Sequence, residues 1–153
     1  MNKTIFYVYP SCISTLAHNE VTLPVVYDTI KNNEVLRQRT ENYRKAIEAD
    51  LPAKQLKKLK AEQFPMLMPA ARFKNGREME HLVSYTCLCQ CDIDNIPSDI
   101  MEEAKRRVRE LPFVVMYHVS MSGNGLHVYY FYQIPNCGLT PQVYQQAFIQ
   151  GNE

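Results

Sequence analysis

Tryptophan is absent from the 153 residues, so the aromatic part of any core falls to ten Tyr and six Phe. No apolar run approaches the ~20 residues that cross a bilayer, which argues against a membrane-spanning helix and a membrane partner. The first apolar stretch, Ile5-Phe6-Tyr7-Val8-Tyr9, follows Lys3 but stops at Pro10, too short for the core of a secretion signal. It reads as a strand. Internal repeats, linkers and low-complexity tracts are also missing, so one domain over 1–153 is the expectation, long enough to bury a core. Net charge is only +1, and the chain as a whole lacks the basic excess of a nucleic-acid binder. Cysteine occurs five times, an odd number, with Cys87, Cys89 and Cys91 alternating along one strand-like run. Thiols so placed do not pair with one another or wrap a zinc ion, and reduced cysteines in a cytoplasmic protein are expected.

Charge is distributed unevenly. Between Lys31 and Arg77 twelve Lys/Arg stand against five Asp/Glu, and the remainder holds five basic and eleven acidic residues. A basic part beside an acidic one suits a polyanionic substrate, although Lys54, Lys57, Lys58 and Lys60 alone are equally a solvated helical face.

Patterning gives the order of elements. A strand over Lys3–Tyr9 precedes a polar connection, then a helix capped by Thr22 with Pro24 in its first turn and ending at Asn32. Asn33 breaks the chain before a helix over Glu34–Ala49, and Asp50 is a candidate cap for a third with Pro52 early. Pro65 and Pro69 bracket an extended Met66-Leu67-Met68, and Lys74-Asn75-Gly76-Arg77 reads as a turn. His81–Asp94 is one strand, Ser98 caps a helix through Glu110, and Phe113–Ser120 with Leu126–Gln133 form a hairpin. Thr140 and Pro141 open a last helix. The fold class is α+β. Residues 1–80 form a mostly helical, basic N-terminal unit, and 81–153 begin a split βαβ antiparallel sheet with helices on one face and its last strand missing.

Two carboxylates, Asp92 and Asp94, sit one residue apart at the end of Cys87-Leu88-Cys89-Gln90-Cys91-Asp92-Ile93-Asp94. On a strand they share a face about 7 Å apart at Cα, where mutual repulsion makes a divalent cation such as Mg²⁺ or Mn²⁺ an economical partner. Strand-end turn chemistry around Asp94-Asn95-Ile96-Pro97 is the other reading. The hairpin turn, Ser120-Met121-Ser122-Gly123-Asn124-Gly125, offers backbone amides of the kind that hold anions, or else an ordinary Asn-Gly turn. His127 shares a strand face with Tyr129 and Phe131 beside that turn. Exposed, those rings would stack bases in a single-strand nucleic-acid module. Arg72, Lys74 and Arg77 are candidates for phosphate or nucleic-acid contacts, or a solvated turn. No spacing implicates His18, His81 or His118, and Val128-Tyr129 after His127 excludes the His-hydrophobe-His pair of a rolling-circle nuclease.

The ordered set, Asp92-Ile93-Asp94 followed after a helix and strand by Ser-Met-Ser-Gly-Asn-Gly125-Leu126-His127, resembles the first two motifs of the archaeo-eukaryotic primase (primase-polymerase) superfamily. Upstream, Lys57-Lys58-Leu59-Lys60 leading to Phe64-Pro65, then Pro69-Ala70-Ala71-Arg72-Phe73, resembles the primase-like N-terminal domain of bacterial "virulence protein E"-type replication proteins of mobile elements and phages. The resemblance implies an RRM-like palm and a nucleotidyltransferase role in DNA replication. It implies Asp92 and Asp94 as ligands of two catalytic Mg²⁺ or Mn²⁺ ions, and His127 as a contact to the incoming nucleoside triphosphate. Ser120, Ser122, Gly123, Asn124 and Gly125 would line the same pocket. Single-stranded or primed nucleic acid and a downstream helicase domain are the implied partners. The superfamily's third acidic motif has no counterpart here, so little or no polymerase activity is expected of these residues alone.

Overall fold

A computed structural model describes residues 5–16 and 19–132, together with Gln142 and Gln145. The expected 135–138 loop and the helix opened by Thr140 and Pro141 lie outside the described residues, as does His18. Within them the chain is α+β, with four α-helices and small antiparallel sheets.

The first sheet has the order β2-β1-β3: β1 (Ile5–Tyr9) pairs antiparallel with β2 (Asn19–Thr22) and with β3 (Met66–Met68). The polar connection expected after β1 therefore contains a strand. Helix α1 (Leu23–Asn32) starts after Thr22 with Pro24 in its first turn, where a missing N–H costs nothing, although the Thr22 side chain makes no capping bond. Asn33 does cap α2 (Glu34–Glu48): its side-chain oxygen accepts the Leu36 N–H at 2.9 Å. Asp50 is not a cap. It takes a left-handed φ of 51° after α2, and Pro52 precedes α3 (Ala53–Gln63) directly.

The single strand expected over His81–Asp94 is two. A 3₁₀ turn (Met79–His81) leads to β5 (Leu82–Tyr85), which pairs with β4 (Ala71–Phe73), whereas β6 (Leu88–Ile93) enters another sheet. Thr86 makes the break: its buried hydroxyl donates to the Pro69 carbonyl and accepts the Leu88 N–H at 3.1 Å, locally replacing the ladder. Cys87 consequently lies exposed outside β6 and does not continue the buried cysteine face.

The cap of helix α4 (Met101–Glu110) is Ile100, two residues beyond the expected Ser98. Its exposed side is laced by Arg106 to Glu103 and Glu110 at 2.8 and 2.7 Å, while Met101, Ala104 and Val108 form the buried stripe. It connects β6 to β7 (Val114–Val119), and β7 turns back into β8 (Leu126–Phe131), giving an antiparallel sheet of order β6-β8-β7. Period-two alternation sends Leu126 and Val128 toward α4. The opposite face carries Leu88, Met116 and Tyr129, which pack on Val26 and Leu23 of α1 and on Leu67 of β3. Helices on one face alone were expected; α1 covers part of the second.

Leu88 is fully buried at the junction of the two units. Leu88→Ala should lower unfolding free energy in urea by about 2–5 kcal/mol. A loss below about 1 kcal/mol would mean that the α1 contact does not hold the sheet.

Candidate functional site

Burial falls along β6, from Leu88 and Cys89, both sealed, through half-buried Gln90 and Cys91 to exposed Asp92 and Ile93. The site stands at the exposed end. Cross-strand register places Asp92 opposite His127 of β8, and His127 opposite His118 of β7, all on the face shared by Gln90 and Tyr129. His127 Nδ1 lies 2.6 Å from Asp92 Oδ1, and the Gln90 amide donates to that oxygen at 2.8 Å. Gln90 Nε2 is also 3.1 Å from His127 Nδ1. A 2.6 Å contact to a carboxylate requires a proton between the atoms, so Nδ1 is the protonated nitrogen and Nε2 is the ring atom left for another partner. The imidazole is 14% exposed and the carboxylate 48%.

His118 is a residue that no sequence spacing marked. Its ring stacks on His127 at 5.0 Å and on Tyr129 at 5.9 Å. Its Nδ1 lies 3.0 Å from the Val119 carbonyl and must donate, so Nε2 accepts from the Tyr129 hydroxyl at 3.4 Å. Burial pushes the His118 pKa below the ordinary imidazole value, and neighbouring His127 adds to this against the Val119 bond and Asp92. Burial likewise raises the Tyr129 hydroxyl, with Asp92 second. Tyr129 is only 2% exposed, so the base stacking expected of it is closed off.

Asp94 joins a different group. It follows β6, and its Oδ1 lies 3.3 Å from where a Cβ on Gly125 would stand, as does Ser120 Oγ. The Ile93 carbonyl is 2.6 Å from the same point, so only glycine lets the 120–125 loop cross the end of β6. The Asn124 carbonyl then accepts the Ile96 N–H at 2.8 Å, just past Asn95 with its left-handed φ of 57°.

The loop is not a two-residue Asn-Gly turn: its left-handed residue is Gly123, at φ 89°. Ser120 Oγ bonds Ser122 Oγ at 2.9 Å, and Ser122 donates to Asn124 Oδ1 at 2.6 Å. The Ser120 carbonyl accepts the Gly123 N–H at 3.0 Å and Arg44 Nη2 at 3.3 Å, and the Met121 carbonyl accepts Arg44 Nε at 3.0 Å. The Ser120 and Met121 carbonyls are thus satisfied, whereas the amides of Met121, Ser122, Asn124 and Gly125 and the carbonyls of Ser122 and Gly123 have no partner among the described residues. Such a loop has donors left for an anion.

The basic candidates stand apart from this group. Arg72 is held by Glu20 at 2.7 Å over the Tyr7 ring, and Arg77 lies over the Tyr9 ring with its Nη1 3.1 Å from the Cys12 carbonyl. Lys74 is exposed in the turn after β4. Among the described residues none of the three contacts Asp92, Asp94 or the loop, and no three His, Cys, Asp or Glu side chains are grouped to hold a metal by themselves. A groove of about 380 Å³ follows α1 and β7, lined by Tyr27, Val115 and Arg109, and includes none of the site residues.

Gln90 was legible in principle, two residues before Asp92 on the same strand face, and His118 follows once the hairpin register is drawn. Arg44 carries no local signal, lying 76 residues from Ser120.

The family model for the BT4734-like N-terminal domain matches residues 58–150, more than half of the chain. The chain belongs to the BT4734-like N-terminal domain family. No curated protein and no solved structure matches it. The BT4734-like match takes in Asp92, Asp94, the 120–125 loop and His127, and leaves Arg44 outside.

Two outcomes follow from this geometry. Gly125→Ala should destabilise the fold by about 1–3 kcal/mol, because the backbone carbonyl of Ile93 cannot yield as a side chain would; unchanged urea unfolding would contradict the close crossing. With the folded-state pKa of His118 lowered, the unfolded chain takes up a proton before the folded one as pH drops below about 6.5. Stability is complete above that value and declines below it. The Tm should therefore fall more steeply between about pH 7.5 and about pH 5.5 in the unaltered chain than in His118→Gln; equal slopes would remove His118 from the account.

Proposed function

We propose that the end of the β6-β8-β7 sheet is the nucleotide- and metal-binding part of a primase-polymerase-like domain from a mobile-element or phage replication protein. The observation that carries this reading is the Asp92–His127 pair, with Asp94 beside a loop that has unused amide donors. The strand order, with α4 joining the outer strands, supports an RRM-like split βαβ palm. The ordered Asp-Ile-Asp and Gly-Leu-His motifs favour the archaeo-eukaryotic primase superfamily and its "virulence protein E"-type branch.

The donor set suits a hard cation. Mg²⁺ is commonly held by one or two carboxylates plus substrate phosphates, keeping several waters, so two exposed carboxylates suffice without an all-protein cage. Asp92 and Asp94 would hold Mg²⁺ or Mn²⁺, which when bound would neutralise triphosphate charge and orient the reacting groups. Asp92 Oδ1 is engaged by Gln90 and His127, which fixes the carboxylate and leaves Oδ2 for an outside ligand. His127 keeps Nε2 for a phosphate oxygen, and the Ser122 and Asn124 amides offer two neutral donors. Nucleotidyl transfer, the two-metal reaction of the superfamily, would further need a third acidic ligand that no described residue supplies. Single-stranded or primed nucleic acid and a helicase domain belong to the same proposal. A purely nucleic-acid-stacking role has less behind it, since Tyr129 is buried and Phe131 alone of the pair is partly exposed.

Calorimetry with ATP, with and without Mn²⁺, tests this. The unaltered chain should bind in a metal-dependent manner, and a folded Asp92→Ala/Asp94→Ala variant should bind at least about tenfold more weakly. ATP affinity that Mn²⁺ does not raise, or that survives both changes, would refute the proposal.

A further inference from the structure

Arg44 joins the helical N-terminal unit to the loop across a separation of 77 residues. Four of the eight arginines face carboxylates: Arg37 meets Glu34 and Glu41, Arg72 meets Glu20, and Arg106 and Arg107 meet Glu103. Arg44 has no carboxylate within ion-pair distance among the described residues. Its recorded partners are two carbonyl oxygens, those of Ser120 and Met121, and its guanidinium lies against Gly123, with Nε 3.3 Å and Cζ 3.5 Å from where a Cβ would stand. A side chain at residue 123 would meet both that contact and a left-handed φ of 89°.

The helix holds Arg44 firmly. Tyr43, the preceding residue, is buried edge-on against Phe64 at 5.8 Å, and Arg39 donates to the Gln63 carbonyl at 2.7 Å, so α2 is fixed to the end of α3. From that base a two-pronged donor draws the Ser120 and Met121 carbonyls to one partner and delivers an uncompensated positive charge beside them. The Ser122 and Asn124 amides, on either side of Gly123, stay open.

We infer that Arg44 is the positioning residue of an anion site in the 120–125 loop: it holds the Ser120 and Met121 carbonyls to itself, leaves the Ser122 and Asn124 amides for a polyphosphate, and makes binding there depend on α2. This rests on the reading of the loop as the phosphate side of the nucleotide site. The planar guanidinium matters as well as the charge, because an ammonium cannot span both carbonyls in the same geometry.

Titration calorimetry of the whole chain with sodium tripolyphosphate, without metal, tests the inference. Arg44→Ala should bind about tenfold or more weakly, Arg44→Lys should fall between, and millimolar guanidinium should restore part of the Arg44→Ala loss. If Arg44→Ala does not fold, Arg44→Lys decides. Unweakened binding by a folded Arg44 variant, or no tripolyphosphate binding by the unaltered chain, overturns the inference. Absent Mn²⁺-dependent ATP binding with tripolyphosphate binding intact would overturn the nucleotide reading alone.

Discussion

The register of β6 against β8 is the constraint on which the site depends. Strand side chains alternate between faces, so a slip of β6 by one residue would send Asp92 beneath α4 and turn Leu88 away from α1. Burial on both faces prevents that slip. Leu88 and Tyr129 are locked against α1 and β3 on one side, and Leu126 and Val128 against α4 on the other. The polar pair at the strand's end is therefore aligned by apolar contacts one and two pairings away. A carboxylate and an imidazole exposed at a sheet end would otherwise contribute little to their own placement.

The same burial gradient separates two polar groupings that a sequence reading merges. Gln90, Asp92, His127 and His118 form a ladder of side chains across three strands. Asp94, Ser120 and Gly125 form a second group where the hairpin loop crosses the end of β6. The first group fixes the state of one imidazole. The second fixes a loop conformation, and it is completed from outside the sheet by Arg44. What unites them is position: both lie at one end of the strand pair that the core has aligned.

Much of the fold was legible because local chemistry marks it. Pro24 and Asn33 delimit α1 and α2, Glu102 and Glu103 open α4, and the Ser/Gly/Asn segment separates β7 from β8. Period two sorts Asp92 with Gln90 and His127 with Tyr129, and the β6–β8 register puts both sets on one face. The misplaced features are those decided by distant contacts. Nothing in Ser84-Tyr85-Thr86-Cys87 announces a break, because the group that ends β5 there is the Pro69 carbonyl, reached through tertiary packing. Asp50 resembles a cap in sequence but closes α2 from a left-handed conformation. Tyr129 looked available because its cover on α1, Leu23 and Val26, is more than a hundred residues upstream. His118 and Arg44 stayed hidden for the same reason: each has a role only through a partner that the fold supplies.

The central claim is that Asp92 fixes His127 as an Nδ1-protonated imidazole on the surface that receives a metal–triphosphate. Long-range ¹H–¹⁵N NMR of the histidine rings, recorded before and after addition of Mg²⁺ and ATP, tests it most directly. The account predicts an Nδ1–H ring for His127 that depends on Asp92, with an Nε2 resonance that moves when Mg²⁺ and ATP are added. An Nε2–H ring, or a His127 spectrum indifferent to both the Asp92 substitution and the ligand, would contradict it.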